Sequence, residues 1–200
     1  MKILIATRNL GKFKEISDML ADLPLQLASL RDYPDLPETE EDGETYLANA
    51  IKKADVAAAF SGCWVLADDS GLEVEGLAWK PGIHSARFAK LGASDEENNA
   101  KLLEMLKERK GISRRAVFRC TLVLFHPDGA FIFTKGELWG EILEAPRGMQ
   151  GFGYDPLFYL PEKTKTLAEL DAEEKNRISH RTMALEKMKE HIRRLLPQNL

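Results

Sequence analysis

Two hundred residues, 44% of them hydrophobic, are enough to bury one good core, so a single domain over 1–200, bilobed at most, is expected. A formal net charge of −4 with 30% charged residues excludes a general attraction to nucleic acid or anionic lipid, so any phosphate-binding charge has to be local. No stretch approaches the length that spans a bilayer, and Arg8 and Lys12 break the faintly signal-like opening run Met1-Lys2-Ile3-Leu4-Ile5-Ala6.

Ile3-Leu4-Ile5-Ala6 reads as a short buried strand, and Phe13, Ile16, Leu20 and Leu23 then recur at helical spacing. Leu30 to Gly43 is rich in Pro, Asp and Glu, and Pro34 and Pro37 bar a regular helix, so it reads as an acidic loop. Leu47, Ala50, Ile51, Ala54, Ala57 and Ala58 form one stripe of an amphipathic helix running to about Phe60, with Thr45, Asn49 and Lys53 on another face. Trp64-Val65-Leu66-Ala67 is a second buried strand, expected to stop at the turn formers Asp68, Asp69, Ser70 and Gly71.

Ser94 followed by Glu97 is a capping box opening a helix with Leu102, Leu103 and Leu106 on its apolar side. Residues 115–125 alternate as a strand, His126-Pro127-Asp128-Gly129 is a turn, and Ala130 to Leu138 returns as the second arm of an antiparallel hairpin. A glycine-rich run, Gly148 to Gly153, precedes a last helix striped by Ala184, Leu185, Met188, Ile192 and Leu195, with Ser179 at its N-cap. Helices mixed with parallel-type and hairpin strands indicate an α/β fold with a mixed, twisted β-sheet flanked by helices. Cys63 and Cys120 stand far apart with no metal-spaced partner, which suits core positions in a reducing, cytoplasmic setting.

Chemistry concentrates in a few segments. Thr7-Arg8-Asn9-Leu10-Gly11-Lys12 lies between the first strand and helix, where backbone N–H groups and the helix dipole favour an anion; the same residues also fit an ordinary Asn-x-Gly turn capping a helix. The adjacent carboxylates Asp68 and Asp69, at the end of a buried strand, offer hard oxygen ligands suited to Mg²⁺ together with substrate phosphates, or form a solvated turn. Glu38, Glu40, Glu41, Asp42 and Glu44 in the acidic loop can supply a further ligand. Gly151-Phe152-Gly153-Tyr154-Asp155-Pro156 offers an aromatic ring on a glycine frame, suited to stacking on a nucleobase or to a core turn. His180 and Arg181 follow Ser179 at a helix start, as donors to a ligand or as a capping pair. No nucleophile triad, cysteine nucleophile or zinc set stands out.

Taken in order, these segments, with Asn49-Ala50, Lys53-Ala54, Pro81-Gly82-Ile83-His84-Ser85-Ala86-Arg87 and Lys175, closely resemble the inosine triphosphate pyrophosphatase family from the first strand to about Ala184. The resemblance implies hydrolysis of dITP, ITP and XTP to the monophosphate and pyrophosphate by a Mg²⁺-dependent homodimer with its site in a cleft between two lobes. It implies that Thr7, Arg8, Asn9, Leu10, Gly11 and Lys12 hold the triphosphate, that Lys53 assists catalysis, and that Asp69 is general base and metal ligand beside Glu40. Ser70 would touch substrate, Phe152, Gly153, Tyr154 and Asp155 would frame base and sugar, and Lys175, His180 and Arg181 would line the base end. Arg8 stands where relatives often carry glycine. Two other functions fit the same residues: a phosphatase releasing orthophosphate, and a nucleotide sensor without turnover, against which the Asp68-Asp69 pair argues.

Overall fold

A computed structural model describes residues 1–109 and 111–197. Strand β1 (Lys2–Ala6) runs parallel to β2 (Gln26–Ser29) on one side and to β3 (Trp64–Val74) on the other. Further along come β4 (Lys80–Pro81), β5 (Arg115–Phe125), β6 (Phe131–Ile142), β7 (Phe158–Leu160) and β8 (Lys165–Thr166). Among the described residues they form one eight-stranded sheet in the order β2-β1-β3-β5-β6-β7-β8, with β4 antiparallel on β3. The predicted hairpin is β5 and β6: His126 N–H donates to Ala130 O at 2.8 Å at its turn, and Ile142 N–H donates to Arg114 O at 2.9 Å at its open end. Antiparallel pairing continues through β7 and β8, so the sheet is mixed, as its sequence pattern suggests.

The chain divides into two compact units. The first comprises Met1–Asp69, Cys120–Gly136 and the segment from Arg181 onward; the second comprises Ser70–Arg119 and Glu137–His180. In the first unit the strand alternation of β1 decides the layering. Ile3 and Ile5 point to one face, where they meet Ile16 and Leu20 of α1 (Leu10–Leu20) and Leu185, Met188 and Ile192 of α5 (His180–Leu195). Leu4 and Ala6 point to the other, against Ala50, Ala54, Ala57 and Ala58 of α2 (Tyr46–Ser61). An alanine stripe carries no long side chains, so the backbone of α2 lies close to the sheet. Thr45 caps α2 by accepting from Ala48 N–H at 3.1 Å, and Gly62, at φ +65°, ends it.

In the second unit Leu72, Val74, Ala116, Phe118, Leu138 and Phe158 pack with Leu102 and Leu106 of α3 (Asp95–Lys107). The Ser94/Glu97 capping box forms in both directions, Glu97 N–H to Ser94 Oγ at 3.2 Å and Ser94 N–H to Glu97 Oε2 at 2.9 Å. A short α4 (Ala172–Ile178) closes at Ser179, whose N–H donates to Lys175 O at 3.0 Å; Ser179 has extended dihedrals immediately before α5.

One expectation is corrected here. Asp68, Asp69, Ser70 and Gly71 do not form a turn; β3 runs through them, 11 residues from Trp64 to Val74. Turn propensity is a local preference, and the partners described next overrule it by neutralising both carboxylates inside the strand.

Candidate active site

The first unit assembles a charge cluster around the two aspartates of β3. Asp68 is fully buried, and each of its oxygens is engaged: Lys12 Nζ donates to Oδ1, while Arg181 Nε at 3.1 Å and Cys120 Sγ at 3.2 Å address Oδ2. Burial alone would push this carboxyl up, but Lys12, Arg181 and Lys53 together hold it well below the usual carboxylate range. Asp68 is therefore a fixed anion. Arg181, itself 2% exposed, also pairs with Glu15 of α1, and the buried guanidinium is held charged between the two acids.

Asp69 points elsewhere and behaves differently. Its Oδ2 accepts from Asn49 Nδ2 at 3.1 Å, and its Oδ1 lies 3.5 Å from Lys53 Nζ. Burial raises its pKa, Lys53 and Lys12 oppose that, and the Glu41 anion adds to the rise. A carboxylate shifted upward and partly desolvated is a better proton acceptor than a solvated one. Lys53 also pairs with Glu41 at 2.8 Å and donates to the Asp68 carbonyl at 2.6 Å; burial works against its charge, but Asp69, Glu41 and Asp68 outweigh it and raise its pKa.

The segment from Thr7 to Lys12 meets this cluster through Lys12. Asn9 is the N-cap of α1, its Oδ1 accepting from Lys12 N–H at 3.0 Å, and Thr7 Oγ1 accepts from Asn9 N–H at 3.2 Å. The segment is thus a helix cap, and the cap sets Lys12 beside Asp68 at the positive end of the helix. Arg8 is exposed and lies 3.7 Å from Glu38; Leu10 is exposed, and Gly11 is partly buried in the first turn.

The second unit gathers the glycine loop. Asp155 Oδ2 accepts from Phe152 N–H at 2.9 Å and from Lys175 Nζ at 2.7 Å, and the Lys175 ammonium lies 4.3 Å from the centre of the Phe152 ring. Gly151 has φ +78°, and a Cβ there would sit 2.1 Å from Asp155 Oδ2, so glycine is required for the loop to close on that carboxylate. Gly153 N–H donates to Asp95 at 2.6 Å, and Tyr154 is buried with its hydroxyl donating to Ser85 O at 2.8 Å. The motif residue Ser85 in turn accepts from Leu72 N–H at 2.9 Å, which ties the Pro81–Arg87 turn to β3. His180 is buried and stacks on Phe118 at 4.8 Å. Ser70 opens this unit, half-buried in β3.

With this geometry in view, comparison with known proteins is decisive. The model of the Ham1 family matches residues 3–191. The chain belongs to the Ham1 family. It is 53% identical over 191 residues to a dITP/XTP pyrophosphatase of Geobacter sulfurreducens, covering 96% of each chain. It is 49% identical over 195 residues to a protein of the same name from Desulforamulus reducens, covering 98% of this chain and 97% of the relative. A solved structure of a HAM1 protein from Coxiella burnetii superposes with a TM-score of 0.90 at 40% identity, covering 97% of this chain and 99% of that one.

Two placements in this Ham1-family chain bear on what the sequence resemblance implies. Glu40 is exposed, and the acidic-loop residue brought to Lys53 and Asp69 is its neighbour Glu41. A run of glutamates in a loop without period gives no register, which is why sequence alone left the choice among Glu38, Glu40 and Glu41 open. Arg181 lies in the first unit as partner of Asp68 and Glu15, while Lys175 and His180 belong to the second. Glu15 carries no distinguishing signal of its own. It sits at an ordinary helical position, and a tertiary partner is what gives it a role.

Proposed function

We propose that this chain hydrolyses dITP, ITP and XTP to the nucleoside monophosphate and pyrophosphate, with Asp69 as general base. The observation that carries the reading is the contrast between adjacent carboxylates: Asp68 is locked as an anion by Lys12 and Arg181, while Asp69 is raised in pKa and held by Asn49 and Lys53. The names of the relatives, dITP/XTP pyrophosphatase, support the substrate class. In this reading Asp69 accepts a proton from a water that attacks the α-phosphorus, the bond from that phosphorus to the bridging oxygen breaks, and pyrophosphate leaves. Lys12, at the start of α1, binds the triphosphate with the dipole of that helix, and Lys53 offsets charge that builds on the phosphate oxygens. In the second unit Phe152 stacks on the base, and Lys175 and His180 offer donors to its edge.

Mg²⁺ belongs to the proposal, with Asp69 and Glu41 as the residues that would hold it. Both carboxylates already share one cation, the Lys53 ammonium, at 3.5 and 2.8 Å. Among the described residues no cluster of three or more His, Cys, Asp or Glu side chains forms a metal cage. Two carboxylates fit an ion that takes most of its remaining ligands from water and substrate phosphates. When bound it would supply Lewis-acid neutralisation of those phosphates. Assembly as a homodimer in the cytoplasm is also part of the proposal, on the strength of the sequence resemblance.

The test is an assay of a nucleoside triphosphate panel with product identification, run with the wild type and Asp69→Asn. Pyrophosphate and monophosphate should appear in equal amounts, and the variant should lose about a hundredfold or more in kcat, the scale of a lost general base. Orthophosphate as the first product, or near wild-type turnover by Asp69→Asn, would overturn the assignment.

A further inference from the structure

The acidic loop is fastened to α2 by three consecutive residues. Glu41 pairs with Lys53 at 2.8 Å, Asp42 pairs with Lys52 at 2.6 Å, and Gly43 N–H donates to Asn49 Oδ1 at 2.8 Å. The first two attachments are ion pairs of flexible side chains, and the Asp42 pair is exposed. The third is of another kind. Asn49 is 1% exposed, one turn into α2, and its amide is used at both ends: the oxygen takes Gly43 N–H while the nitrogen donates to Asp69 Oδ2 at 3.1 Å. One partner is an obligate donor and the other an ionised acceptor, so the amide has a single orientation that satisfies both. The fit at Gly43 is close as well: a Cβ there would lie 2.7 Å from Asn49 Oδ1 and 3.0 Å from Ala48 Cβ.

We infer that Asn49 is a positioning residue that sets the register between the acidic loop and Asp69, so that Glu41 and Asp69 are presented together. The inference rests on the roles proposed above for those two carboxylates. Asn49 touches neither substrate nor reacting atoms in this scheme. It acts through Asp69, whose Oδ2 it occupies so that Oδ1 is the oxygen turned to Lys53, and through Gly43, which fixes the main chain two residues beyond Glu41. An aspartate at position 49 has the same shape but no donor, and it would face Asp69 with a like charge. An alanine at position 43 would leave the Asn49 to Asp69 bond in place and push the loop away.

Asn49→Asp and Gly43→Ala separate the two halves of this role, and the measurements are kcat, KM and cleavage of the loop by a glutamate-specific protease. Asn49→Asp should lower kcat by about 10- to 100-fold, the range typical of residues that orient catalytic or metal-binding carboxylates, with KM for the triphosphate changed less than about threefold. Gly43→Ala should speed cleavage at Glu38 to Glu44 by about fivefold or more, a readout taken without metal or substrate, while Asn49→Asp, which keeps an oxygen to accept from Gly43 N–H, should leave the loop protected. Wild-type protection of the loop in Gly43→Ala would overturn the clamp, and a kcat within twofold of wild type in folded Asn49→Asp would overturn the control of Asp69. If Asp69→Asn itself keeps full turnover, the assignment of the base fails, and the protease arm still decides whether Asn49 holds the loop.

Discussion

Adjacent residues with the same side chain, Asp68 and Asp69, take up different chemistry because a strand turns them to opposite faces. One faces Lys12, Arg181 and Cys120; the other faces Asn49 and Lys53. The arginine is the residue on which the first environment depends. A buried ion pair adds little when compared with an apolar replacement, but removing one partner leaves a desolvated charge uncompensated. Arg181→Ala would strand both Asp68 and Glu15 and should cost about 3–5 kcal/mol in a urea melt. Arg181→Lys should recover part of that loss, since an ammonium keeps the charge without the planar fork that addresses two acids at once. A loss below about 1 kcal/mol for the alanine variant would mean that Lys12 alone suffices to hold Asp68.

Elements of the fold differ in how much of them a sequence displays. The long ones are legible: the β5–β6 hairpin, the capped α3, the alanine-striped α2 and the last helix all carry a period over enough residues to be counted. β2, β4, β7 and β8 have two to four residues each, too short for any period, and they exist because neighbouring strands complete them. The extension of β3 through Asp-Asp-Ser-Gly was hidden for the opposite reason. Its local signal is strong and points to a turn, and distant cations reverse it. At the glycine loop the local signal and the tertiary demand agree, and Gly151 shows why: φ +78° and a Cβ position 2.1 Å from Asp155 Oδ2 leave no room for a side chain. Gly151→Ala should therefore dislodge Asp155 from Phe152 N–H and Lys175. An expected strain of about 1–3 kcal/mol would appear as a KM several-fold higher for the nucleotide, with Asp69 chemistry, and so kcat, little changed. An unchanged KM would remove the loop from nucleotide binding.

At the scale of the whole molecule, the candidate site residues fall in two units. The carboxylates and the helix-borne lysines belong to one, the aromatic loop with Lys175 and His180 to the other. The order of motifs along the sequence made this set of residues readable, but not its grouping, since Arg181 directly follows His180 and yet belongs with Asp68. Under the proposed function, base selectivity is a property of the second unit. Inosine and xanthine carry an oxygen acceptor at purine C6, where adenine carries an amino donor. Lysine has donors and no acceptor, so a base edge facing Lys175 is matched by the keto oxygen and mismatched by the amino group. A buried donor left unpaired costs about 1–3 kcal/mol, so kcat/KM for ITP or XTP should exceed that for ATP by about tenfold to a hundredfold. Lys175→Met keeps much of the packing beneath Phe152 but removes the donor and the partner of Asp155. It should narrow the ratio mainly by lowering kcat/KM for the keto substrates, with ATP hydrolysis little affected. Kinetics of ITP, XTP and ATP with both proteins decide the matter: equal use of ATP and ITP by the wild type, or a ratio unmoved by Lys175→Met, would show that Lys175 does not read the base.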